Sequence, residues 1–236
     1  FVKSIISSTI RNKKFYILPN GYSPESIDKA VGIEQQRDVM NISFVGTIYK
    51  WHPIYSFLSE LSSFIEENPD AKIEINFFGA NMSAEIRTHI NKKCHNIIDI
   101  VHFFPRMGNE YLLPQLAKGN LMLLFNDYSI VGTKIFDYIG IKRTILLCYA
   151  NDQEALKLKE KYYTVEDVEG LSQHLQEDLI RETNGGYIAQ DAAHLKVLLA
   201  QLYEEFIQTG EIKCHTQNVE QYSRRAQTEE LARIIK

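Results

Sequence analysis

Residues 121–125, LMLLF, form a wholly apolar run that ends at a polar turn, and residues 144–147, TILL, form a second one shortly after it. Runs of this length without polar alternation read as strands buried on both faces. Between them lie Asn126, Asp127 and Ser129, then Gly132 and Thr133 opening a short helical stretch. That is too much chain for a hairpin, so the two strands lie parallel with a crossover helix between them. The first amides of such a helix point outward without partners, and its dipole favours an anion there. Repeated strand, loop and helix is also ordinary architecture in any α/β domain, so the loop alone leaves both readings open.

The same alternation runs along the chain. Residues 41–45 (NISFV) read as a strand stopping at Gly46, and 53–66 carry Ile54, Phe57, Leu58, Leu61 and Ile65 on one helical face. Asn68-Pro69-Asp70 breaks that helix; 72–78 is the next strand, Gly79 ends it, and 83–94 is helical. Residues 97–104 form a strand, 105–108 a turn and 110–117 a helix leading into the first apolar run. Beyond it we expect a helix at 152–159, a short edge strand at 162–165 and a helix at 168–179. A break follows at Asn184-Gly185-Gly186, then helices at 191–208 and 219–235. Near the start, 14–18 is a short β-prone run before the Pro19-Asn20-Gly21 turn. The pattern predicts one doubly wound parallel sheet with helices on both faces, an α/β domain spanning 1–236.

With 236 residues the chain is long enough to bury a sizeable core, and no apolar run approaches the length needed to cross a bilayer. A net charge of -4 leaves nucleic acid only short basic stretches, Arg11 to Lys14 and Arg224-Arg225, so no nucleic-acid partner is expected. Cys94, Cys148 and Cys214 are widely spaced and odd in number, which points to a reducing compartment and no structural metal. The chain starts at Phe1 without a signal-peptide pattern, as expected of a piece of a longer protein.

Ligands of doubly wound sheets bind outside the carboxyl ends of the strands. Here those positions are 46–51, 79–82, 105–108 and 126–134. Gly46 lets a ligand approach the backbone, while Lys50 and Lys134 supply cations for a phosphate. No GxGxxG or GxxxxGK[ST] follows any strand, which argues against dinucleotide and NTPase fingerprints. Tyr49, Trp51 and His52 also sit on this rim, either lining a pocket or covering the sheet edge; His102, within a strand, reads as a core histidine.

Six ordered pieces carry a family resemblance: ILPNGYSPE (17–25), ISFVGTIYKWHP (42–53), INFFGA (75–80), VHFFPRMGNEYLLPQLAKGNLMLLF (101–125), GTKIFDYIGIKRTIL (132–146) and YSRRAQTEELARII (222–235). Together they resemble the C-terminal, nucleotide-sugar-binding half of a GT-B glycosyltransferase of the family-4 type. The resemblance implies a donor diphosphate held by Gly46, Thr47, Lys50, Gly132, Thr133 and Lys134, with Thr47 standing where the family has an arginine. It places the nucleobase beside Pro105, Arg106 and Met107, and Asp137 on the ribose hydroxyls. The glutamate that reaches the sugar in the family corresponds to Ser129, leaving the catalytic group unknown.

The resemblance further implies a hexosyltransferase-like enzyme using a UDP-, GDP- or ADP-sugar, without metal or other cofactor, working on a glycan, lipid or other acceptor. The acceptor would come through an N-terminal domain outside this chain, so the isolated domain would bind donor and transfer nothing. A cytoplasmic location, peripheral at the inner membrane through that other domain, fits the same picture. Two rivals remain: a sugar-nucleotide epimerase of related architecture, for which no carboxylate and His set is visible, and a noncatalytic interaction module with a degenerate donor site.

Overall fold

Strand pairing organises the molecule: in the computed structural model, which describes Tyr16, residues 18–166 and residues 172–235, six strands pair side by side, all parallel. They are β1 (Met40–Val45), β2 (Ile73–Phe78), β3 (Val101–Phe104), β4 (Leu121–Phe125), β5 (Thr144–Cys148) and β6 (Gly186–Ala189), in the order β3-β2-β1-β4-β5-β6. This is the expected doubly wound sheet. Its helices are α1 (Pro24–Ile27), α2 (Ile54–Glu67), α3 (Ser83–Lys93), α4 (Asn109–Lys118), α5 (Lys134–Gly140), α6 (Gln153–Tyr162), α7 (Leu175–Thr183), α8 (Ala192–Thr209) and α9 (Arg224–Ile235). Among the described residues no helix is long and apolar enough to cross a membrane.

The side-chain period of two divides each strand between the faces. Met40, Ile42 and Phe44 of β1 and Ile73, Ile75 and Phe77 of β2 pack with α2, α3 and α8. Met122 and Leu124 of β4 and Ile145 and Leu147 of β5 pack with α4, α5 and α7 on the other. The expected helical face on α2 is the buried one, with Ile54, Phe57, Leu58 and Leu61 inside and Ile65 packed against the core.

Three expectations are corrected. The strand expected at 97–104 begins only at Val101, because residues His95–Ile100 turn as a 3₁₀ helix. The edge strand expected at 162–165 is absent: α6 runs through Tyr162, and the edge position belongs to β6, which had read as part of a break. Glycine explains the misreading. A Cβ on Gly186 would lie 2.0 Å from the Ile145 carbonyl oxygen, so β6 enters its ladder through a residue that sequence reading assigns to turns. Finally, His102 is not in the core; its imidazole stands on an open part of the sheet, 3.9 Å from the Glu74 carboxylate. Of the helix expected at 168–179, α7 contains only the end, and 167–171 lie outside the described residues. The same holds for Arg11 to Lys14 and most of the 14–18 run. The expected final helix is a 3₁₀ turn (Glu220–Tyr222) followed by α9.

Strand order reverses between β1 and β4, and there the sheet parts. β1 pairs with β2 over six residue pairs, but with β4 only at Ile42–Leu121 and Ser43–Met122. The Val45 amide, beyond the last of these pairs, donates instead to the Tyr138 hydroxyl at 3.2 Å. Burial pushes the Tyr138 phenol far above its usual pKa, so it stays neutral. The crevice at the carboxyl ends of β1 and β4 is therefore held open by a side chain from α5.

Candidate functional site

Two connected hollows occupy this crevice. The larger, about 540 Å³, is lined among others by Gly46, Thr47, Gly79, Arg106, Met107 and Lys134. The smaller, about 230 Å³, shares Gly46, Thr47 and Lys134 and adds His52, Asp127, Gly132 and Thr133. Gly46 adopts φ 110, a conformation that an L side chain resists, and donates its amide to the Phe78 carbonyl at 3.0 Å. Gly79, at φ 65, lets the next loop close in: a Cβ there would stand 3.3 Å from the Arg106 Cα. The loop after β1 is fixed by Asn81, which accepts from the Ile48 amide (2.8 Å) and donates to the Ile48 carbonyl (3.2 Å).

The crevice thus brings together Gly46, Thr47, Gly132, Thr133, Lys134, Arg106 and Met107 from separate stretches of sequence. Thr133 caps α5 without a side-chain hydrogen bond. Lys134 reaches across the mouth, donating to Asp137 Oδ2 at 3.1 Å and Asn109 Oδ1 at 3.3 Å. Asp137 is buried at the back of this pair and does not itself line either hollow. Pro105 is likewise outside both linings. Lys50 lies elsewhere: its ammonium sits 5.8 Å over the Tyr162 ring and lines a separate hollow behind His52. Ser129 bonds the Tyr163 hydroxyl at 2.9 Å and lines neither hollow.

In place of Ser129 the wall carries Asp127. Its Oδ1 accepts from Trp51 Nε1 at 3.1 Å and lies 2.8 Å from His52 Nε2. The Tyr49 amide donates to His52 Nδ1 at 3.2 Å, so the ring proton belongs on Nε2 and is donated to Asp127. Gln176 accepts from the Asp127 amide at 2.7 Å, and the Tyr163 hydroxyl donates to its carbonyl at 3.0 Å. Asp127 is therefore clamped at backbone and side chain, while Oδ2 lies 3.8 Å from where a Cβ on Gly132 would be. With both imidazole nitrogens committed, His52 holds the carboxylate in place. Neither residue belonged to the expected donor set, and no local motif marks them, since 75 residues separate the partners.

Behind the wall, Tyr128 is pushed up to about 12 by burial, with the charges of Tyr163, Asp127 and Asp152 adding to the effect. Among the described residues no group of three or more His, Cys, Asp or Glu side chains gathers as a metal-holding cluster.

No protein-family model matches the chain, and neither does any curated protein. Solved structures do match. The chain is similar to a mutant of S. aureus TarM in complex with Fondaparinux, alpha-GlcNAc-glycerol and UDP, with TM-score 0.56 and 11% identity, covering 98% of this chain and 41% of that one. It is similar to the apo form of the lipopolysaccharide outer core galactosyltransferase WaaB, with TM-score 0.53 and 10% identity over 99% and 58% of the two chains. The pneumococcal O-GlcNAc transferase GtfA in complex with UDP and GlcNAc gives 0.52 and 11%, over 99% and 43%. At these identities the likeness is one of fold: the chain has the Rossmann-like architecture of a GT-B domain and spans about half the length of the structures it matches.

Proposed function

We propose that this chain is the donor-binding domain of a glycosyltransferase that moves a sugar from a nucleotide-sugar to an acceptor. One observation carries the reading: at the switch point between β1 and β4, Gly46, Thr47, Arg106 and Lys134 converge on one crevice, where this class of sheet takes its ligands. UDP in two of the similar structures adds support. The diphosphate meets the backbone at Gly46–Thr47 and Gly132–Thr133 and the ammonium of Lys134, which stabilise the charge that develops as the nucleotide leaves. Asp137 holds Lys134 from behind and reaches the ribose hydroxyls only if the Lys134 side chain shifts, a charge-assisted contact of about 1.5–3 kcal/mol. Arg106 and Met107 flank the base. Asp127 takes the sugar-facing place that Ser129 has left. Lys50 joins the site only if the loop after β1 moves.

Acceptor and any general base come from a second domain, with closure of the two halves over the donor. A nucleotide-binding module without transfer activity is the alternative, favoured by Thr47 in place of an arginine and by the turned-away Ser129. Calorimetry with UDP, GDP and ADP, and with their sugar conjugates, tests the donor site. Binding of at least one that is lost in Asp137→Ala supports the reading; no heat from any of them defeats it. Transfer by the chain joined to its second domain separates the enzyme from the module.

A further inference from the structure

Behind the Trp51 and His52 wall lies the hollow that Lys50 lines, about 280 Å³ in volume, roughly half the size of the larger donor hollow. It shares Tyr49 and His52 with the smaller donor hollow, so the imidazole that holds Asp127 at 2.8 Å also walls this space. Its size suits one sugar ring and not a nucleotide.

Three tyrosines line it, Tyr49, Tyr55 and Tyr162. Tyr49 lies flat against Trp51, with centroids 4.4 Å apart at 4°, and is still 43% exposed. Tyr55 packs on His89 at 4.4 Å, and Tyr162 ends α6. Two of the three rings are thus held in place by other rings. Lys50 and Glu154 line the same hollow with opposite charges, yet among the described residues neither forms an ion pair with the other or with any other side chain. The Lys50 ammonium rests only near the Tyr162 ring, at 5.8 Å. A donor and an acceptor that border one space without meeting suit a guest that bonds both.

A pyranose has that chemistry: its C–H face is apolar, and its hydroxyls both give and take hydrogen bonds. A purely apolar guest would leave both charges without a partner, and a phosphate would confront Glu154. We propose that this hollow binds one pyranose residue of a saccharide, with the apolar face on the tyrosines and the hydroxyls on Lys50 and Glu154. Because it abuts the Asp127 side of the crevice, the saccharide is the acceptor. That role rests on the donor-site reading, whereas the binding itself does not. This domain then holds part of an acceptor that the second domain brings in.

Trp51 is the single tryptophan of the chain and stacks on Tyr49, so its fluorescence reports on the hollow. Titration with maltotriose, cellotriose, mannotriose and chitotriose, followed by fluorescence and by saturation-transfer NMR, tests the site, with UDP, GDP and ADP titrated in parallel. At least one trisaccharide is expected to bind saturably. Tyr162→Ala should weaken it tenfold or more and Glu154→Ala several-fold; both side chains lie outside the linings of the donor hollows, so nucleotide affinity should stay constant. No binding by any of the four saccharides, full affinity in both folded variants, or displacement of the saccharide by a nucleotide overturns the site, and nucleotide binding then leaves the donor reading standing. Saccharide binding lost in the variants, with no nucleotide bound, upholds this site and defeats the donor reading.

Discussion

His52 Nε2 lies 2.8 Å from Asp127 Oδ1, and the imidazole side chain is only 3% exposed. Since His52 Nδ1 already accepts from the Tyr49 amide, the pair orients a carboxylate. Asp127→Asn keeps the shape of the side chain but removes its charge. It should weaken binding of a nucleotide-sugar more than that of the bare nucleoside diphosphate, which parallel titrations would measure. Equal weakening of both would place Asp127 outside the sugar side. Asp127→Ala leaves the His52 and Trp51 donors without an acceptor and should cost about 1–3 kcal/mol in denaturant unfolding.

Lys134 and Asp137 form a partly buried pair at 3.1 Å, one turn apart on α5. Lys134→Ala should weaken diphosphate binding by about tenfold to a hundredfold, the range expected for a charge-assisted contact. Asp137→Ala should weaken nucleotide but not pyrophosphate if it serves the ribose. A double-mutant cycle on affinity resolves how far each acts through the other.

Tyr138→Phe leaves the Val45 amide without its partner while preserving the packing of the ring. Urea unfolding should show a loss of about 1–2 kcal/mol, and nucleotide affinity should fall as the end of β1 relaxes toward β4. Unchanged stability would mean that the amide finds another acceptor.

Alkaline pH should destabilise the fold through Tyr128. Its phenol is held up to about 12 in the folded chain, mainly by burial, whereas an unfolded tyrosine ionises near about 10. The raised value favours the neutral, folded form, so the contribution is complete below about pH 10 and is lost as pH rises toward about 12. The share at stake is about 2–3 kcal/mol, from about two pKa units. Unfolding free energies of Tyr128→Phe should fall less steeply over that window than those of the parent chain.

Gly186→Ala puts a methyl group into the β5 backbone, 2.0 Å from the Ile145 carbonyl oxygen. The edge strand must shift or detach, and thermal unfolding should drop by several degrees or more, the response to a strained backbone contact of about 1–3 kcal/mol.

Much of the sheet was legible because its signals are local. The LMLLF run of β4 is a strand of the expected bounds, and the α2 face emerges from the spacing of Phe57, Leu58 and Leu61. β6 escaped reading because its identity depends on how closely Gly186 approaches Ile145, a contact made across the sheet. Of the expected donor set, Gly46 and Thr47 just after β1 and Lys134 at the start of α5 fall on the rim, since chain order dictates which loops share it. Lys50 and Ser129 do not, because their side chains are drawn to Tyr162 and Tyr163, which sequence reading had placed in an edge strand.

The sequence by itself determined the alternation of strands and helices, hence a parallel doubly wound sheet and a ligand rim at the carboxyl ends of its strands. These follow from hydrophobic period and segment length, which are properties of neighbouring residues. Only the tertiary structure decided which carboxylate faces the crevice. Asp127 depends on Trp51, His52 and Gln176 for its position. Such choices rest on partners distant in the chain, and a hydrogen bond leaves no periodic trace in the residues that form it.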